Sequence, residues 1–233
     1  MSLRISQWIG LIGIAATIPL VQIVAVAKTS VEVAEIAKAV TVSIASSNFQ
    51  GSGVIIQHQG DVYTVLTTAY MVKKKVDYKI TTPDDRAYEV IANSIQSAPG
   101  DVDFAIIKFK ATTDYRTAKL GNSNLIKAGM ELYVAGFPAK DRAITLPVLA
   151  VVEGKVIANS NKTFTRGYSL IYNNDTLPGM GGGAVLNSNG ELVAIHGIAD
   201  RDTDGKRNGF NLGIPIDLFG TVANQMGVEL KGQ

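Results

Sequence analysis

The segment Thr176–Asn187 reads Thr-Leu-Pro-Gly-Met-Gly-Gly-Gly-Ala-Val-Leu-Asn, a glycine-rich turn running straight into an apolar strand. Glycines at 179, 181, 182 and 183 open backbone angles closed to other residues and let a ligand approach the main chain. In such a turn the amides of Gly179 and Gly181 can converge as a nest for an oxyanion or a carbonyl oxygen. A second segment with chemical potential is Asp200-Arg-Asp-Thr-Asp-Gly205. Asp200, Asp202 and Asp204 copy the first half of a calcium loop, with a Gly for the bend. Asn211, however, stands where the bidentate Glu belongs, and Lys206 and Arg207 add repulsion. A solvated hairpin loop is therefore preferred to a metal site, and no cofactor is expected. The only histidines are His58 and His196, and Cys is absent, so no thiol chemistry or disulfide enters.

These residues must be positioned by short elements. The chain has 233 residues, 46% of them apolar, and a formal net charge of +2. Met1 to Arg4 is short and basic, Trp8 to Val26 is nearly uninterrupted apolar sequence, and Ala25-Val26-Ala27 offers the small residues a signal peptidase reads. Residues 1–27 are read as a secretory signal, with an uncleaved membrane anchor as the alternative. Lys73-Lys74-Lys75 is the only basic run and has no interleaved aromatics, which argues against nucleic acid as a partner. Thr29-Ser-Val-Glu32 has capping-box spacing, and Val33, Ile36, Ala37 and Val40 follow at helical intervals. Beyond them lie short alternating strands, beginning near residues 40–44, 53–56 and 63–66, with Gln57–Asp61 as a hairpin turn. Later ones fall near 76–81, 88–91, 104–109, 132–136, 149–157, 168–172, 184–187, 192–198 and 210–214. Turns at intervals of about 8–12 residues indicate all-β barrel or sandwich architecture. A small helix is expected near residue 70, and a terminal one over 217–226 with Asp217 as N-cap and Gly227 as stop.

Three ordered segments then carry a family likeness. Gly51-Ser-Gly-Val-Ile-Ile56 through Val65-Leu-Thr-Thr-Ala-Tyr-Met-Val72, Asp101-Val-Asp-Phe-Ala-Ile-Ile107 and Pro178-Gly-Met-Gly-Gly-Gly-Ala-Val-Leu186 together resemble bacterial trypsin-like serine peptidases. Phe210-Asn-Leu-Gly-Ile-Pro-Ile216 has the look of that family's closing strand. The resemblance implies two antiparallel six-stranded β-barrels, here 28–125 and 126–233, forming one domain with a short N-terminal and a C-terminal helix. It places Asp103 at the catalytic Asp, Tyr70 at the general base and Gly181 at the nucleophile. A phenol, with a reference pKa of about 10, is a poor base at neutral pH, and Gly181 has no side chain to attack with. The Tyr70 hydroxyl is expected beside Asp103 as a locked, non-catalytic pair.

The pocket motif, with His196 and Thr176, is similar to that of glutamyl endopeptidases, implying a carboxylate-bearing ligand. Asp175 stands where trypsins proper select Lys or Arg and points the other way; a His hydrogen-bonded inside the second barrel is an equal alternative. The resulting expectation is an exported pseudopeptidase that binds a peptide or protein, preferably one with an acidic side chain. The rivals are a hydrolase with residual or recruited activity, and a structural partner whose groove is filled by Tyr70 and Met180.

Overall fold

The computed structural model describes residues 28–47, 49–74, 76–140, 144–201 and 207–230. The expected leader, and Asp202 and Asp204 of the calcium-like loop, lie outside them. Helix α1 (Ser30–Val40) begins with the expected box: the Thr29 hydroxyl accepts from the Glu32 amide at 3.2 Å, and the Glu32 carboxylate accepts from the Thr29 amide at 2.8 Å. Val33, Ala37 and Val40 form its buried stripe.

The chain then builds an antiparallel sheet from β1 (Thr41–Ser46), β2 (Phe49–Gln59), β3 (Val62–Thr68), β4 (Lys79–Thr81), β5 (Ala87–Glu89), β6 (Gln96–Ser97) and β7 (Phe104–Lys110). Its order is β5-β4-β1-β2-β3-β7-β6. The sheet curls until Val90, just past β5, bridges Phe109 of β7 and the Ile91 amide donates to the Lys108 carbonyl at 2.8 Å, so this half approaches barrel closure. The second half is a closed barrel of β8 (Glu131–Gly136), β9 (Ala150–Asn159), β10 (Leu170–Tyr172), β11 (Ala184–Asn187), β12 (Leu192–Arg201) and β13 (Arg207–Pro215). Its strands run β10-β13-β12-β11-β8-β9 and are antiparallel throughout. The architecture is therefore all-β, a curled sheet beside a closed barrel.

Two local expectations need correction. The hairpin turn is confined to Gly60-Asp61, because β2 keeps pairing as far as Gln59 and places exposed His58 on a strand, stacked on Tyr63 at 5.3 Å. Helix α2 (Ile216–Val222) is entered from Pro215, not capped by Asp217. The Asp217 carboxylate instead accepts from the Ser123 hydroxyl and the Asn124 amide, tying the helix to the link between the halves. Past a tighter turn over Ala223–Met226, Gly227 does stop the helix, at φ 67°.

Both terminal helices pack on the core shared by the two halves. Phe104 of β7 meets Phe219 of α2 edge to face at 5.6 Å, and Val33 and Val40 of α1 join Leu66, Leu186 and Ile195. Among the described residues no helix is long and apolar enough to cross a membrane.

The first half has a second device, a hydroxyl network that closes the β4–β5 hairpin. The Tyr115 hydroxyl donates to Asp84 Oδ1 at 2.8 Å, lies 2.9 Å from the Tyr88 hydroxyl and 3.0 Å from that of Thr82. Burial pushes the Asp84 carboxyl up, but the Thr82 and Tyr115 hydroxyls and Arg86 outweigh it and hold it below the usual range. Its stabilising charge is therefore present above the ordinary carboxylate pKa and is lost as pH falls through the lowered one. We expect Tyr115→Phe to cost about 1–2 kcal/mol. Acid titration of unfolding should show Asp84→Asn losing less stability than the parent below about pH 4.

Candidate functional site

The strand-to-strand path of the first half brings the candidate residues to the junction with the second. At the end of β3 the chain turns into a short 3₁₀ segment, Ala69–Val72, that carries Tyr70. Asp103 immediately precedes β7, which pairs with β3. Its carboxylate is buried at 2% exposure and is met from three directions. Oδ1 accepts the Tyr70 amide at 2.9 Å and pairs with Arg166 Nη2 at 2.5 Å, while Oδ2 accepts the Tyr168 hydroxyl at 2.6 Å. The Asp103 amide also donates to the Arg166 carbonyl at 3.1 Å. A buried charge is tolerable only when paired and hydrogen-bonded, and this one is. Burial, reinforced by the Asp103 carboxylate, pushes the Tyr168 hydroxyl far above its ordinary pKa, so it stays a donor.

This corrects the expected phenol–carboxylate pair. Tyr70 meets Asp103 through its backbone, while its side chain is 58% exposed and its hydroxyl has no hydrogen-bond partner among the described residues. The ring stands edge-on to Phe49, with centroids 6.4 Å apart. Arg166 and Tyr168, which sequence reasoning missed, hold the carboxylate instead. The one local trace of them is glycine: a Cβ at Gly197 would collide with the Tyr168 ring.

Met71, one residue on, occupies the space in front of the glycine turn. Its Cε would lie 2.9 Å from a Cβ on Gly181, and its Sδ would clash with one on Gly51. Met180, which the structural-partner alternative would place in the groove, is fully buried in the second barrel's core.

The turn itself is held by Ser52 of β2. The Ser52 amide donates to the Gly181 carbonyl and its hydroxyl to the Gly179 carbonyl, both at 2.9 Å, while Oγ accepts the Phe137 amide at 2.8 Å. Gly179 and Gly182 adopt φ 93° and 83°, which only glycine takes readily. The Gly182 amide donates to the His196 carbonyl at 2.7 Å. Among the described residues, the amides of Gly179 and Gly181 have no acceptor.

The candidate specificity residues separate by burial. His196, on β12, is 2% exposed and shares a 2.7 Å hydrogen bond between Nδ1 and the Tyr172 hydroxyl. Thr176, equally buried, donates to Asn211 Oδ1 at 2.7 Å, and Asn211 in turn donates to the carbonyls of Asn174 and Tyr172. Tyr172 thus links the two residues within one barrel interior. Asp175 is exposed and is not enclosed with them. Among the described residues no group of three His, Cys, Asp or Glu side chains is placed to hold a metal.

Beside Asp103 a cleft of about 1020 Å³ opens, walled in part by Tyr70, Val76, Ile95, Val102 and Arg166.

Comparison with known proteins fits this geometry. The profile described as the trypsin-like peptidase domain matches residues 51–195, and the chain belongs to that family. It is 31% identical over 179 residues to the probable periplasmic serine endoprotease DegP-like of Pseudomonas savastanoi pv. phaseolicola, covering 76% of this chain and 34% of that protein. It is 26% identical over 202 residues to the serine protease HtrA-like of Staphylococcus haemolyticus, covering 82% of this chain and 30% of the relative. The chain thus spans about a third of the length of these two relatives. Its fold is similar to that of the HtrA-type protease AlgW solved with a tripeptide, at a TM-score of 0.71 and 19% identity over 86% of this chain and 64% of that one.

The turn predicts opposite outcomes for adjacent glycines. A Cβ at Gly182 would collide with the Ser52 carbonyl and the Thr67 hydroxyl, and φ there is positive. Gly182→Ala should therefore cost more than about 3 kcal/mol. Gly181→Ala meets the flexible end of Met71 at 2.9 Å and the Gly197 carbonyl oxygen at 3.3 Å, and should cost less than about 1.5 kcal/mol. Tyr168→Phe, which removes a charge-assisted bond to Asp103, should cost about 1.5–3 kcal/mol by denaturant unfolding.

Proposed function

We propose that this member of the trypsin-like peptidase family is an exported protein that binds peptides without cutting them. The observation that carries the reading is the saturation of Asp103 by the Tyr70 amide, Arg166 and Tyr168, with no imidazole on it and no side chain at Gly181. A serine peptidase needs a base near neutrality that takes the nucleophile's proton and returns it to the leaving amine. Tyr70 points its phenol into solvent, so neither half of that transfer has an agent.

What is left suits binding. Pairing of β12 with β11 ends at Ile195, whereas β12 continues along β13, so from Gly197 onward β12 has one edge unpaired among the described residues, beside the glycine turn. An extended peptide can add there as a further strand, with main-chain bonds supplying affinity. The free amides of Gly179 and Gly181 supply two donors for a carbonyl or carboxylate oxygen of the same ligand. The acidic side-chain preference rests on His196 and Thr176, linked through Tyr172. No metal or organic cofactor enters this reading.

Export rests on the basic and apolar pattern of residues 1–27 and on the periplasmic name of the Pseudomonas relative. The unbonded Gly179 and Gly181 amides also favour a second reading, slow hydrolysis of activated esters by water held at the nest.

The test is incubation of the full chain with a mixed peptide library and with p-nitrophenyl esters, scored for cleavage by mass spectrometry and absorbance. Loss of the nucleophile alone costs on the order of 10⁶ in turnover, so no peptide cleavage above the buffer control is expected. Peptide turnover that survives Asp103→Asn would be residual chemistry of the nest, and robust turnover abolished by it would overturn the reading. In a Tyr70→His, Gly181→Ser double variant Met71 must first rotate away from the new serine, so adding Met71→Ala should raise whatever activity that variant regains.

A further inference from the structure

Resting on the peptide-binding reading, we infer that Tyr70 is the specificity anchor of the site, taking a bulky apolar or aromatic side chain of the bound peptide. A single exposed tyrosine is ordinarily unremarked surface. Tyr70 differs in three respects. Its backbone is fixed by a hydrogen bond to a buried carboxylate, its ring is braced edge-on by Phe49, and it stands at the mouth of a cleft of about 1020 Å³. An aromatic group already fixed in place loses little conformational entropy when a partner covers it, which is why tyrosine dominates binding hot spots.

The chemistry of the surroundings selects the class of side chain. The Phe49 ring meets the Tyr70 ring and lies against Gly51, while Met71, only 8% exposed, fills the space in front of Gly181, so apolar groups surround the place where proton transfer would be carried out in a peptidase. Val76, 43% exposed, with Ile95 and Val102 extends that surface into the cleft. Among the described residues the cleft is lined by three cations, Lys73, Lys74 and Arg166, and three anions, Asp77, Asp101 and Asp103, of which Arg166 and Asp103 form an ion pair. A large uncharged side chain gains contact area on the Tyr70 ring and those apolar residues. Within this proposal the interaction is assigned to the Tyr70 ring, which Phe49 braces and which is 58% exposed.

The experiment is selection of a random displayed decapeptide library on the immobilised full chain, followed by titration of the recovered peptides against the parent, Tyr70→Phe and Tyr70→Ala. Peptides recovered by the parent should share Phe, Tyr, Leu or Met at one fixed position. Tyr70→Phe should keep their affinity within about threefold. Tyr70→Ala should weaken them by about 30-fold, the scale of a 2 kcal/mol hot spot, and lose the positional preference in a repeat selection. The thermal midpoint of Tyr70→Ala should stay within a few degrees of the parent, since the side chain is mostly exposed. Recovered peptides that lack an apolar position, or that bind Tyr70→Ala as tightly, would overturn the anchor while leaving peptide binding intact. Failure of the parent to enrich any sequence would overturn peptide binding itself, and the anchor with it.

Discussion

A buried negative charge at the junction of two β-halves is the constraint from which the rest of this site follows. Asp103 lies under the surface at the start of β7, and its charge can remain there only if donors reach it. One donor comes from its own half, the Tyr70 amide, and two come from the other, Arg166 and Tyr168. The carboxylate therefore fastens the halves together from within. The bond has a conformational cost: Arg166 sits at φ 60°, ψ 25°, a region unfavourable for a residue with a Cβ by about 1–3 kcal/mol. The ion pair and the Asp103 amide bond to the Arg166 carbonyl are the local gains that offset it.

Because position 70 is held by its main chain, its side chain is not needed for the fold. The same separation recurs across the groove. Ser52 grips the carbonyls of Gly179 and Gly181, and no bond of the turn depends on what projects from residue 181. The two positions that the family resemblance assigns to proton transfer and attack are thus framed by backbone groups and can change without disturbing the frame. Gly182 and Gly197 are different. The first is packed against a strand carbonyl and the second against the Tyr168 ring, so their lack of a side chain is structural.

This division explains what could be read in the sequence. Strand alternation, the Thr29–Glu32 box and the Gly227 stop are local patterns, and the structure carries them as elements close to their expected places. The glycine turn and the place of Asp103 before a strand were legible through short motifs in a fixed order. Arg166 and Tyr168 were not, because they lie more than sixty residues beyond the carboxylate they serve and only the packing of the halves brings them there. A left-handed arginine has no sequence signature of its own, and a two-residue strand such as Gln96–Ser97 is too short to show a period. The Tyr70 phenol was misplaced for a related reason: residue type suggested a side-chain bond where a main-chain amide already occupied the carboxylate.

An enzyme gains nothing in turnover from contacts made equally in ground and transition states, and tight ground-state contacts hold substrate and product alike. A binding protein has the opposite requirement. On the peptide-binding reading, an exposed Tyr70 ring in place of a proton-carrying group offers no means of stabilising a transition state. It does offer apolar area that stabilises the bound ground state. On that reading the peptide leaves uncut, so occupancy is set by Kd, and fixed aromatic contact area acts on it mainly through the dissociation rate. On the peptide-binding reading, the loss of chemistry at residues 70 and 181 and the gain of apolar surface beside them therefore act in the same direction.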